Sequence, residues 1–426
     1  MLDVNYILAN KEEVKELLKR KDYEADIDGL CEDLLEKRRL QREVELNKAE
    51  QNKLSKSVPE VKKAGGNVQE IFAKVKELAA KNKENEEKLE VLDKKTMEVL
   101  VALPNLPDKD LLCGEKENNK PIFYNKEKPT FNFPKKSHVE LEESLGLIDY
   151  ERGVKVAGTG TWFYTGLGAQ LEWALLNFFI SEHLKDGFQF MLPPHLLNYQ
   201  SGFTAGQFPK FEEDVFKIDL PDTFKFLLPT AETALVNYYR DEILDENELP
   251  KKFFAYTPCY RKEAGTNRLE ERGMIRGYQF NKIEMVEYTK EDDSDRAFEE
   301  LVNKAKSLMT QLGLHFRISK LAAGDCSHSM ARTYDIEVYL PSVDIYKEVS
   351  SVSNARSYQA RRGMMRYRDS EGKIHYMHTL NGSGLATSRV FPAILEQYQN
   401  EDGSVTIPEV LRPFMGGLTV LKPIKK

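Results

Sequence analysis

From Val68 to Leu103 apolar residues return at intervals of three and four: Val68, Ile71, Val75, Leu78, Leu89, Leu92, Val99 and Leu103. Asn82, Asn85 and Thr96 occupy the gaps in the same register. This is a heptad pattern carried over roughly five repeats, and only a helix of coiled-coil type satisfies it. A weaker version runs from Ile27 to Val58 through Leu30, Leu34 and Val44. Between the two stretches lies Lys62-Lys63-Ala64-Gly65-Gly66-Asn67, a helix stop and turn. Two long helices folded back as an antiparallel coiled coil follow, an arm roughly 50 Å long at 1.5 Å per residue. Its seam is thin, and the pattern alone reads equally as a structural or dimerising hairpin. Leu103-Pro104-Asn105-Leu106-Pro107 ends the helix. The stretch from there to about Pro134 reads as a linker with extended pieces.

The arm accounts for a quarter of the chain, and 426 residues are too many for one compact core. With 62 Lys+Arg against 69 Asp+Glu, the net charge of −7 provides no global field for nucleic acid. Any RNA contact must be local. No run of about 18 apolar residues appears, and the charged beginning is unlike a signal peptide. A cytoplasmic protein is expected. Cys31, Cys113, Cys259 and Cys326 are far apart and include no Cys-x-x-Cys pair, so four reduced thiols are expected.

Beyond Ser137 the pattern changes to mixed helix and strand. Gly168–His183 has helical periodicity, and Phe188–Leu192 reads as a strand stopped by Pro193-Pro194. Phe253–Tyr260 and Gly277–Tyr288 read as strands around a polar loop. Asp335–Leu340 and Tyr346–Ser350 alternate, and Gly384–Gln399 reads as a helix. Strands joined without strict βαβ alternation indicate an antiparallel-rich α+β domain.

Three segments there concentrate polar groups. In Pro229-Thr230-Ala231-Glu232, an extended backbone puts Thr230 and Glu232 on one face, able to hold an ammonium and a hydroxyl. Equally, Thr230 caps a helix, and both readings can hold together. In Tyr260–Phe280, Arg261 ends a strand, while Arg276 and Phe280 lie in the returning one. Arg grips phosphate with a planar fork and an aromatic ring stacks on a base, although a solvated hairpin has the same charges. Glu284 lies on the face of Phe280. In Leu380–Arg389, two glycines among small hydroxyls permit close approach of a ligand, or simply cap a helix carrying Arg389. No P-loop or dinucleotide fingerprint is present.

Taken in order, these segments resemble seryl-tRNA synthetase, a class II aminoacyl-tRNA synthetase. The resemblance is carried by Thr230-Ala231-Glu232, Thr257–Gly265, Gln279–Glu284, Tyr346–Ser351, His378–Gly384 and Pro408–Pro413. It implies a tRNA-binding coiled-coil arm over residues 1–110 and a catalytic domain over 111–426. That domain would hold an antiparallel sheet of six or seven strands flanked by helices, in a homodimer built near the helix before Pro193-Pro194. It implies serine activation by ATP to seryl-adenylate and transfer to the 3′ end of tRNA(Ser). Arg261 would hold the α-phosphate, Arg389 the far phosphates and Glu348 a Mg²⁺ ion with help from Ser351. The ATP site would also include Lys262, Glu263 at the adenine amino group, Arg276, Gly277, Phe280 stacked on adenine, Val349 and Ser350. Thr230, Ala231 and Glu232 would read the serine ammonium, and Glu284, Asn381 and Ser383 its hydroxyl.

The chain departs from the family's pattern at Asn267–Glu271, at Tyr278 where His is usual, and at Thr159-Gly160-Thr161-Trp162. A paralogue with another acceptor or altered inhibitor sensitivity is one alternative. The intact arm speaks against a carrier-protein ligase. A non-catalytic RNA-binding scaffold is another, and the presence of Arg261, Glu263, Phe280, Glu348 and Arg389 disfavours it. No editing domain is expected.

Overall fold

The computed structural model describes residues 1–262 and 272–424, so Glu263 and the Asn267–Glu271 departure lie outside the described residues. The chain forms two compact units. One comprises Leu2–Lys19 and Tyr23–Leu103; the other comprises Met1, Arg20–Asp22 and Pro104–Lys426.

The first unit is all helix: α1 (Val4–Ala9), α2 (Lys11–Lys19), α3 (Ile27–Lys63) and α4 (Val68–Ala102). At 37 residues, α3 is about 55 Å long. It continues past Val58 through Pro59 and stops before Gly65, whose φ of +73° no β-carbon residue adopts easily. Asn67 caps α4 by accepting from the Gln69 amide. The seam of α4 is mostly polar: Asn82, Asn85, Thr96 and Leu100 are its buried residues. Asn47 Nδ2 donates to Asn82 Oδ1 across the seam at 2.9 Å, and Lys48–Glu86 and Lys81–Glu43 pair beside it.

The second unit is built on one sheet of eight strands. In chain order they are β1 (Lys120–Asn125), β2 (Gln189–Met191), β3 (Lys251–Tyr260), β4 (Gln279–Thr289), β5 (Phe316–Lys320), β6 (Arg332–Leu340), β7 (Ile345–Arg356) and β8 (His378–Ala386). Their spatial order is β1-β5-β6-β7-β8-β4-β3-β2. Neighbours are antiparallel, except that β2 joins β3 in parallel. The sheet exceeds the expected six or seven strands because short edge strands close both sides. Of these, β1 comes from the stretch that reads as a linker.

The flanking helices are α5 (His138–Leu145), α6 (Leu167–Lys185), α7 (Ala231–Leu235), α8 (Ser294–Gln311) and α9 (Thr387–Gln397). Leu171, Leu175, Phe178 and Phe179 of α6, Phe298 and Leu301 of α8, and Val390, Phe391 and Ile394 of α9 form one core with the sheet. The start of α9 differs from the expectation. Gly384–Ala386 remain strand, so Arg389 falls in the first turn of the helix. Gly384 leaves room for His183, whose Nε2 would lie 2.3 Å from a β-carbon there. All four cysteines are free.

Candidate active site

The middle strands carry the polar side chains. On β4, Phe280, Lys282 and Glu284 alternate onto one face, and a bulge against β8 between Lys282 and Glu284 sets Glu284 opposite Ser383. Glu284 Oε1 accepts from Asn381 Nδ2 at 3.1 Å, and its Oε2 accepts from Ser383 Oγ at 3.4 Å. Lys282 pairs with the same carboxylate and donates to Thr230 Oγ1 at 2.9 Å. Thr230, Lys282, Glu284 and Ser383 are buried, Phe280 and Asn381 are half-buried, and Asn381 Oδ1 finds no hydrogen-bond partner among the described residues.

Thr230 is the N-cap of α7, its Oγ1 accepting from the Glu232 amide. The helix reading holds, and the helix still delivers Thr230 and Glu232 to one cavity. Glu232 Oε1 accepts from Gln359 Nε2 at 2.8 Å, and Thr379 Oγ1 fixes that amide by donating to Gln359 Oε1 at 2.6 Å. Burial, and then the nearby Glu284 charge, push the Glu232 carboxyl up to about 7; the Gln359 bond opposes them. The cavity, of about 460 Å³, is lined by Thr230, Glu232 and Arg261 on one side and by Ser327–Met330 on another.

Arg261 follows β3 directly. Its Nε donates to the Pro229 carbonyl at 3.2 Å, and its guanidinium lies 5.3 Å from the centroid of the Phe280 ring. It borders a second, narrow cavity with Arg276, Gly277, Phe280, Glu348, Ser383 and Arg389. Gly277 admits no side chain, since a β-carbon would lie 2.4 Å from the Trp162 ring. Arg389 Nη1 donates to the Glu348 carbonyl at 2.8 Å and stands 3.5 Å from its carboxylate. A third cavity of about 270 Å³ is lined by Arg276, Asp335, Glu337, Glu348, Ser351 and Arg389 among others. Cationic guanidinium groups and hard carboxylate oxygens thus line the same cleft.

The Glu348 side of that cleft suits a divalent cation. Asp335 lies opposite Ser351, and its buried Oδ1 finds no partner among the described residues. Burial, and then the Glu348 charge, push the Asp335 carboxyl well above the ordinary range. Among the described residues no cluster of three or more His, Cys, Asp or Glu side chains is arranged to hold a metal. One or two carboxylates with a hydroxyl fit Mg²⁺, which takes its remaining ligands from phosphates and water.

The expected residues do not all converge. Thr230, Glu232 and Arg261 meet in the first cavity; Arg261, Arg276, Gly277, Phe280, Glu348, Ser383 and Arg389 in the second; Glu348 and Ser351 in the third. Glu284 and Asn381 join them through Lys282 and Ser383. The side chains of Ala231 and Val349 lie in hydrophobic clusters instead. Ser350 Oγ donates to the Ser383 carbonyl at 2.6 Å, and Lys262 is exposed, its Nζ donating to the Glu213 carbonyl at 3.4 Å. Lys282, Gln359 and Asp335 were missed. Lys282 was legible from its alternation with Phe280 and Glu284. Gln359 reaches Glu232 from 127 positions away, and no local pattern announces it.

Comparison with known proteins agrees with this geometry. Residues 216–398 match the tRNA synthetase class II core domain (G, H, P, S and T), and residues 1–107 match the Seryl-tRNA synthetase N-terminal domain. Serine--tRNA ligase 2 of Clostridium acetobutylicum is 58% identical over 421 residues, 98% of this chain and 99% of its own length. Seryl-tRNA synthetase from Pyrococcus horikoshii, complexed with ATP, superposes with a TM-score of 0.93 at 32% identity, covering 100% of both chains. The cytoplasmic serine-tRNA ligase from Naegleria fowleri, in complex with AMP, shares the fold with a TM-score of 0.90 at 24% identity, over 100% of this chain and 99% of its own. This chain therefore belongs to the seryl-tRNA synthetases, class II enzymes that use ATP to join serine to tRNA.

Proposed function

We propose the following division of labour for the serine–tRNA ligase reaction. A serine carboxylate oxygen attacks the α-phosphorus of ATP, and the bond to the bridging oxygen breaks to release pyrophosphate. Arg261 lies against that phosphate, where its fixed charge offsets the negative charge developing in the transition state. Phe280 stacks on the adenine, Glu263 meets the adenine amino group, and Arg276 and Arg389 hold the outer phosphates. Glu348, with Ser351 and the neighbouring Asp335, holds Mg²⁺, which neutralises phosphate charge when bound.

Glu232 and Thr230 receive the serine ammonium. Glu284, Ser383 and Asn381 receive the hydroxyl, and the observation that carries this reading is their mutual bonding around one buried carboxylate. Alanine would leave those groups without its hydroxyl, which is how a polar pocket rejects a smaller apolar side chain. Lys282 holds Glu284 in place by pairing with its carboxylate while donating to Thr230. In the second step a ribose hydroxyl at the tRNA 3′ end attacks the carbonyl carbon, and AMP leaves.

The arm binds tRNA(Ser); its match to the Seryl-tRNA synthetase N-terminal domain supports this. The enzyme works as a homodimer through α6 and β2, supported by the exposed apolar side chains of Trp173, Phe190 and Leu192 at that edge of the sheet. Its substrates place it in the cytoplasm, and no helix among the described residues is long and apolar enough to cross a membrane.

Serine-dependent pyrophosphate exchange into ATP, run beside tRNA charging, tests the assignment. Arg261→Ala is expected to lower exchange by about 10³-fold or more with the fold intact. Exchange within tenfold of wild type would remove Arg261 from the phosphate.

A further inference from the structure

Beyond the step from Met1 to Leu2, the chain passes between the arm unit and the body at two places. Arg20–Asp22 belong to the body although the segments on both sides belong to the arm, and the chain re-enters the body at Pro104. Body residues from both crossings converge on one turn, Ser327–Met330, closed by the Met330 amide donating to the Ser327 carbonyl at 2.9 Å. Lys21 Nζ donates to the Ser327 carbonyl at 3.0 Å and to the Met330 carbonyl at 2.7 Å. The Asn105 amide donates to the His328 carbonyl at 2.8 Å, and Asn105 Nδ2 to the Ser329 carbonyl at 2.9 Å. Every carbonyl of the turn is thus held from one crossing or the other.

Both crossings are themselves fastened. Arg20 donates to the carbonyls of Lys109 and Leu111 at 2.9 and 2.7 Å. The buried Asn105 also donates to the Ala355 carbonyl at 2.8 Å. Lys21 is a costly choice for a merely structural bond. Burial lowers its pKa to about 8, and both of these bonds go to neutral carbonyls.

The turn has little room to move without consequence. Its four residues line the 460 Å³ cavity opposite Thr230, Glu232 and Arg261. Behind it stands Gly206, with φ of +77°, where a β-carbon would lie 2.7 Å from Ser329 Cβ. A shift of the turn therefore changes the shape of the cavity.

We infer that Lys21 and Asn105 are positioning residues that hold the Ser327–Met330 turn as a wall of the serine cavity, so that tRNA engaged by the arm changes serine affinity through the two crossings. The inference rests on the proposed arm-binding role. The coupling is reciprocal, so serine also changes the affinity for tRNA by the same factor.

The test uses the full-length enzyme and Lys21→Met. Serine KM and kcat are measured by pyrophosphate exchange, with and without tRNA(Ser) whose 3′ ribose has been oxidised so that it cannot be charged. Retention of that tRNA is measured separately. In the variant without tRNA, serine KM is expected to rise about tenfold with kcat within about twofold. In wild type, tRNA is expected to change serine KM several-fold, and in the variant that change is expected to vanish. Lys21→Arg should restore part of both, and Asn105→Ala should repeat the KM-against-kcat split. An unchanged serine KM in Lys21→Met overturns the inference. So does a tRNA effect of equal size in wild type and variant, or none in a wild type that retains tRNA. Failure of wild type to retain tRNA would instead refute the arm reading, and the tRNA-free KM would still judge the turn.

Discussion

Buried polar groups are joined into a network around Glu284 on the sheet, and only singly bonded along the seam of the arm. On the sheet, Thr230, Lys282, Glu284, Asn381 and Ser383 form a continuous chain of bonds, and Asn381 Oδ1 is left over beside the serine pocket. In the arm, the seam buries Asn82 and Asn85, and both amide nitrogens lack a partner among the described residues. A satisfied network in a low dielectric is rigid and selective, whereas an unsatisfied donor only costs stability. On the proposed function, the network on the sheet recognises serine, and the softer seam lets the arm adjust to tRNA.

Glu232 breaks the comparison most sharply if it fails, because it is a buried carboxylate proposed to meet the serine ammonium directly. Its carboxyl sits near 7 in the folded chain against an ordinary 4.5. The folded state holds that proton more tightly than the unfolded one. Its contribution to stability is therefore fully present below 4.5 and lost as pH rises through 7. Serine's ammonium needs the ionised form, so kcat/KM for serine in exchange should fall about tenfold per pH unit below 7. Glu232→Gln should cost on the order of 100-fold in kcat/KM and flatten the profile in that window. A variant with the wild-type profile would detach Glu232 from the ammonium.

The same contrast governs what could be read from the sequence. The two long helices of the arm were legible, because a heptad is local and Gly65-Gly66 and Leu103-Pro104 mark their ends; α1 and α2, too short to show a repeat, were not read. The residues of β3, β4, β6 and β7 were legible by alternation, and the motif residues by resemblance. What escaped was set by distant packing. The start of α9 was misplaced because β8 pairs with β4 as far as Ala386, opposite Lys282. The edge strand β1, Lys-Pro-Ile-Phe-Tyr-Asn, is half exposed and begins with a Lys-Pro pair, so it reads as linker. Gln359, Asp335 and Lys21 act only through partners far along the chain. Their roles depend on β-sheet register and on the turn at Ser327, which no spacing encodes.

Ser383 sharpens the comparison with a smaller effect. Its hydroxyl shares Glu284 with Asn381 at a longer distance, so removing it leaves Lys282 and Asn381 holding the carboxylate. Ser383→Ala should keep exchange measurable and lower the kcat/KM preference for serine over alanine by about tenfold, the order of one hydrogen bond to a charged group. Undiminished preference would show that Glu284 and Asn381 suffice.

The smallest effect concerns the arm alone. Asn85 Nδ2 is buried in the α3–α4 seam and finds no partner there, whereas Asn82 is at least joined to Asn47 through its oxygen. Asn85→Leu removes the orphaned donor and adds apolar area at a seam position flanked by Leu78 and Leu89. The arm should gain about 1 kcal/mol, read as a higher midpoint for its helical transition by circular dichroism. Pyrophosphate exchange should stay within twofold of wild type, because Asn85 belongs to the arm unit and not to the body that carries the site. A lower midpoint would show that the amide is satisfied in solution, or that it fixes the register of the two helices as a buried Asn does in other coiled coils. The arm's buried polarity would then be as purposeful as the sheet's, and the contrast drawn between them would fail.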